Sequence, residues 1–128
     1  MNATAVGGPI VVLHDHLDGG VRPQTVLDLA AEHGVEVPAT DVDELAEWFT
    51  ITPGMPFVEA FSRFGLVGAV LQTPEALARV AREAVEDLAA DGVIHAELRF
   101  APMLHTLQAM TPVGAIDAVD AGLAAAAA

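Results

Sequence analysis

The chain has no cysteine, no lysine and no apolar run approaching the ~18 residues that would span a bilayer. Without cysteine there is no disulfide framework, no thiolate metal cluster and no cysteine nucleophile. Only five basic side chains stand against 18 acidic ones, for a formal charge of −13 at pH 7. Nucleic-acid backbones and anionic lipid surfaces both attract through clustered cations, so neither nucleic acid nor membrane is expected as a partner. Met1 to Pro9 lacks the basic region of a secretory signal, which makes a cytoplasmic address the default expectation. The missing lysine and the abundant alanine read as coding bias, with no function attached.

What is present is apolar. Hydrophobic residues make up 53% of 128 positions, and the mean hydropathy is +0.48, the composition of a chain that buries a core. The length allows one ordinary domain at most. Residues 1–8 are expected to be a flexible N-terminus, and 9–128 the structured portion.

Ile10-Val11-Val12-Leu13-His14 is a β-branched run of the kind buried on both faces in parallel sheets. From Arg22-Pro23 to His33-Gly34, Val26, Leu27, Leu29 and Ala30 recur at helical spacing between an initial Pro and a terminal Gly. Thr40, followed by Asp41, Asp43 and Glu44, predicts an N-cap and acidic first turn for a short helix ending near Phe49. Phe57, Phe61, Phe64, Val67 and Leu71 predict a helix buried on one face between Met55 and Leu71. Thr73-Pro74 opens another helix that Gly92 stops, Val93 to Phe100 reads as a second strand, and Thr111-Pro112 opens a last helix. Strands separated by long helical stretches imply parallel pairing through right-handed crossovers, hence the α/β class. Two buried strands cannot cover each other, and a (β/α)8 barrel takes about 250 residues. The chain is therefore expected to be the opening part of such a barrel, mostly helical by residue count and truncated before the third strand.

His14 and His16 fall where the first strand ends, and the strand period of two projects both imidazoles to one side. Two neutral imidazoles on one side can share a metal, and zinc favours imidazole nitrogen. Taken alone, such a pair is more often surface or satisfied core histidine. The surroundings change that reading, with a buried strand before the pair and Gly19-Gly20 turning the chain into a helix after it.

The stretch His14-Asp15-His16-Leu17-Asp18-Gly19 closely resembles adenosine deaminases, and the likeness returns in the Phe57–Leu71 helix and in Ala96-Glu97-Leu98-Arg99-Phe100-Ala101-Pro102. The resemblance implies a metal-dependent hydrolase barrel with one zinc ion, hydrolysing the 6-amino group of adenosine or deoxyadenosine in purine salvage. By position, His14 and His16 look like the first two zinc ligands, His16 also facing the substrate. Asp18 matches the position that hydrogen-bonds the ribose 5′-hydroxyl, and Phe57 and Phe61 match apolar residues of the lid over the purine.

The sequence also departs from the family pattern. No His-Ala-Gly-Glu motif occurs, and the third zinc histidine, the acid/base Glu and the late Asp ligand have no counterpart. The zinc is then incompletely liganded, and the isolated chain is expected to be inactive. Two alternatives stand beside this reading: a deaminase of adenine or another 6-aminopurine nucleoside, and a catalytically dead barrel start kept as a binding or oligomerisation module. Asp18 favours a nucleoside, because a short carboxylate suits a ribose hydroxyl.

Other polar residues take plainer readings. His33 sits at a helix end, where it complements the dipole, while His95 and His105 are expected in polar packing. Phe57 and Phe61, four apart, would be core on any buried helix. Glu97 and Arg99, on one side of a strand, suggest an internal ion pair. The acidic residues of the helices starting near Asp41 and Glu75 read as solvated faces and first-turn charges.

Overall fold

The structure, a computed structural model, describes residues 8–127. The expected flexible N-terminus lies, as far as residue 7, outside the described residues, as does Ala128. In chain order come β1 (Ile10–His16), a 3-10 turn (Leu17–Gly20), α1 (Pro23–His33) and α2 (Val42–Phe49). They are followed by α3 (Phe57–Val70), α4 (Pro74–Ala90), β2 (Val93–Arg99), a second 3-10 turn (Pro102–His105) and α5 (Pro112–Ala126). β1 and β2 pair in parallel as a two-stranded sheet, as βαβ connections of this length require.

The local signals explain most boundaries. Pro opens α1, α4 and α5, and the Thr73 and Thr111 hydroxyls accept hydrogen bonds from the Ala76 and Gly114 amides at 3.2 and 3.0 Å. α1 stops at Gly34, whose φ of 66° is left-handed, so that the Gly34 and Val35 amides both close on the Ala30 carbonyl. One cap is displaced from its expected place. Asp41 rather than Thr40 caps α2, its Oδ1 accepting from the Asp43 and Glu44 amides at 2.9 and 3.1 Å, because a carboxylate reaches both free donors at once.

The core lies within the helical layer. Leu17, Val26, Leu29, Leu45, Val70, Leu71, Leu77 and Val80 are buried almost completely. α4 and α5 pack closely enough that Gly122 meets the Ala78 carbonyl, leaving no room for a side chain. A polar seam ties α1 to α4: buried Glu83 accepts from Thr25 Oγ1 at 2.6 Å and from Arg79 Nε at 2.8 Å, and Arg79 also reaches Asp28 at 2.8 Å. The Arg79 hydrogen bond holds the Asp28 carboxyl below its ordinary range, and Gln24 helps. Arg22 grips Asp87 through Nε and a guanidinium nitrogen, which raises its affinity for its proton. Glu83 thus overturns the expectation that the acidic residues of α4 are all solvated.

Two expectations about apolar surface fail. β1 and β2 are not buried on both faces: Leu98 packs towards the helical core, but Val11, Leu13 and Ile94 are exposed. Phe57, at 78% exposure, and Phe61, at 64%, are likewise uncovered, although Val67, Val70 and Leu71 of the same stretch are buried. The cause is shared. Helices cover only one side of the sheet, no described strand flanks either edge, and the first half of α3 projects past the helical layer that buries its second half.

Candidate metal centre

β1 runs three residues beyond its apolar run and ends on His16, so both histidines lie on strand backbone at its carboxyl end. The ladder with β2 shifts register between Val12 and Asp15, a local irregularity of the kind that re-aims side chains. His14 lies inside it. The result is that the Nε2 atoms of His14 and His16 stand 3.2 Å apart, with ring centroids 5.2 Å apart. Two ligands at about 2.05 Å from a tetrahedral zinc would have nitrogens about 3.3 Å apart, so the pair already has the spacing of shared ligation. Both rings are exposed, and among the described residues no group of three or more His, Asp or Glu side chains could close a coordination shell. The residues present fit two ligands of a metal, not four.

Asp18 follows on the 3-10 turn, half-buried. It lines a cavity of about 160 Å³ together with Gly19, Val21, Phe49, Arg63 and Phe64. Pockets that enclose a drug-sized ligand run to about 300–1,000 Å³, so these walls make only part of one. Arg63 in that wall is committed elsewhere. It donates to the Trp48 and Thr50 carbonyls, pairs with Glu59 at 2.9 Å and lies over the Trp48 ring. Phe57, Phe61 and Phe64 form an aromatic row along α3 with centroid separations of 5.6 and 6.3 Å, and the Phe64 end approaches Gly19. The row therefore leads from the glycine turn outward into solvent.

The remaining histidines stay away from the pair. His105 is buried, with Nδ1 2.8 Å from the Leu71 carbonyl, and Gln72 fastens the same loop by donating to the Leu104 carbonyl and accepting from the Leu107 amide. His33 sits in the last turn of α1 as expected, and its Nε2 is buried without a partner. The Glu97–Arg99 pair does not form. Glu97 Oε1 lies 3.7 Å from His95 Nε2, which leaves His95 exposed beside a carboxylate rather than in polar packing. Residues two apart on a strand are about 6.6 Å apart along it, so Glu97 can lean to either neighbour.

A sequence model of the adenosine deaminase family matches residues 9–128. Adenosine deaminases of Mycobacterium marinum and Mycobacterium ulcerans are 54% and 53% identical over 119 residues, 91% of this chain and 33% of theirs. The chain thus spans about a third of the length of the curated relatives it matches. Among solved structures, an Arthrobacter aurescens adenine deaminase superposes with a TM-score of 0.77 at 30% identity over 92% of this chain and 35% of its own. A zinc-bound amidohydrolase from Burkholderia ambifaria gives 0.74 at 28% over 93% and 32%. An Arabidopsis N6-mAMP deaminase gives 0.67 at 28% over 92% and 35%. The fold is the opening part of a deaminase-type (β/α)8 barrel, and the two strands are barrel staves rather than a free-standing sheet. The chain belongs to the adenosine deaminase family.

Proposed function

We propose that this chain carries the first metal-binding strand of a zinc-dependent hydrolytic deaminase that converts adenosine or deoxyadenosine and water to inosine or deoxyinosine, respectively, and ammonia, in cytoplasmic purine salvage. The observation that carries the reading is the 3.2 Å separation of the His14 and His16 Nε2 atoms at the carboxyl end of β1. Active sites of this barrel lie at that end. Zinc, when bound, supplies a water acidified from about 15.7 towards 7, a nucleophile strong enough for the purine C6 at neutral pH. His14 and His16 hold it through neutral imidazole lone pairs. Asp18, on the turn beyond, accepts a hydrogen bond from the ribose 5′-hydroxyl and so fixes the nucleoside's long axis. Phe57 and Phe61 cover the purine and exclude water from it. The family's His-Ala-Gly-Glu motif has no counterpart in this sequence, so the 128-residue chain alone is expected to leave adenosine unchanged.

A second reading, deamination of adenine or another 6-aminopurine, is favoured by the superposition on an adenine deaminase. One experiment separates them. The matching 119 residues of the Mycobacterium marinum enzyme are replaced by this chain's, and the chimera is assayed on adenosine, adenine and N6-methyl-AMP. Adenosine turnover that His16→Ala abolishes is expected. Preference for adenine or the nucleotide overturns the substrate, and turnover insensitive to His16→Ala overturns the metal pair.

A further inference from the structure

We propose that Arg99 seats a carboxylate beside the His14–His16 pair, so that a divalent cation and a carboxylate bind this mouth together. The proposal rests on reading that pair as metal ligands. Arg99 is the register partner of His16 in the parallel ladder, so their side chains leave the same face of the sheet at its carboxyl end. Leu98, one residue earlier, packs on the opposite face towards the helical core, which confirms the side. Four of the five arginines are spent: Arg22 on Asp87 and Glu86, Arg63 on Glu59, Arg79 on Asp28 and Glu83, Arg82 on Glu86. Among the described residues no carboxylate comes within ion-pair distance of Arg99, and Glu97 leans to His95 instead.

A cation left unpaired beside a metal site opposes loading, because two neutral imidazoles leave a divalent ion its full charge. A carboxylate reverses that. It has one oxygen for the metal and one for the guanidinium, whose planar fork matches it, and its charge offsets both cations. Metal and carboxylate must then tighten each other's binding equally.

The test is calorimetric titration of the chain with cobalt(II), with and without acetate, on wild type, Arg99→Gln, Arg99→Lys and His16→Ala. Acetate is expected to tighten cobalt binding about fivefold in wild type, within the usual range of such coupling. Arg99→Gln loses that gain and Arg99→Lys keeps part of it. Arg99 is exposed, and matching far-UV ellipticity of the variants shows that folding is not the cause. An acetate gain surviving Arg99→Gln, or no gain in wild type, overturns the role of Arg99. Cobalt binding unaffected by His16→Ala, or absent throughout, overturns the metal pair as well.

Discussion

Adding one methyl group at Gly122 and at Gly65 should move stability in opposite directions. Both glycines are inside helices, where Ala gains about 1 kcal/mol over Gly from propensity alone. At Gly65 a new Cβ meets nothing within 4 Å, so Gly65→Ala keeps that gain. At Gly122 the Cβ would stand 2.2 Å from the Ala78 carbonyl oxygen and 2.8 Å from Ala81 Cβ. Carbon contacts are comfortable at about 3.5–4.0 Å, and the obstacle is α4 backbone, which cannot rotate aside as a side chain can. α5 must withdraw about 1 Å from α4, opening contacts along Ala115, Ala118 and Val119, all of them buried. Overpacking of this kind costs about 1–3 kcal/mol. With rigid backbone in the way we take the upper end, so Gly122→Ala loses about 2 kcal/mol net after the propensity gain. Urea unfolding followed by far-UV ellipticity at low protein concentration reads both variants. With a slope of about 2 kcal/mol per molar, the Gly122→Ala midpoint falls by about 1 M and that of Gly65→Ala rises by about 0.5 M. A Gly122→Ala midpoint at or above wild type refutes the close approach of α4 and α5.

Two further outcomes follow from surface and charge. The Asp28 carboxyl is held low chiefly by its hydrogen bond from Arg79, so its contribution to stability is present above the ordinary carboxylate value of about 3.9 and lost as pH falls through the folded value. Asp28→Asn should therefore destabilise the chain at neutral pH and converge with wild type in strong acid, checked by urea midpoints across that range. Equal midpoints at neutral pH would show the seam idle. Phe57 and Phe61 are uncovered and stacked side by side on α3, and contiguous exposed apolar surface attracts partners, so the chain should bind an apolar-surface dye and associate with rising concentration. The double change Phe57→Ser and Phe61→Ser should remove much of both, as read by dye fluorescence and light scattering; no loss would place the sticky surface elsewhere.

The order of elements was legible because each boundary is written locally. Proline at the first helical turn, threonine before it and glycine after it need no tertiary partner to act, and the His-x-His spacing fixes a common side through backbone period alone. The register shift around His14 was not legible, since it depends on how β1 meets a strand about 80 residues away. The same limit hid Glu83. On the α4 sequence it looks like one more solvated acid, and only the approach of α1 brings Thr25 and Arg79 around it. Asp41 displaced Thr40 as a cap because two competent neighbours compete, and the turn that chooses between them is set by the chain before it. The exposure of Phe57 and Phe61 runs against their apolar spacing for a related reason. Periodicity shows that a face seeks cover, not whether the described chain provides it.

Joint binding of one metal ion by His14 and His16 is tested most directly by proton–nitrogen correlation spectra of the histidine rings during a zinc titration. The His14 and His16 Nε2 signals are expected to move together to metal-bound values, while those of His33, His95 and His105 hold still. Movement of only one of the pair, or of His95 or His105 in its place, would contradict it.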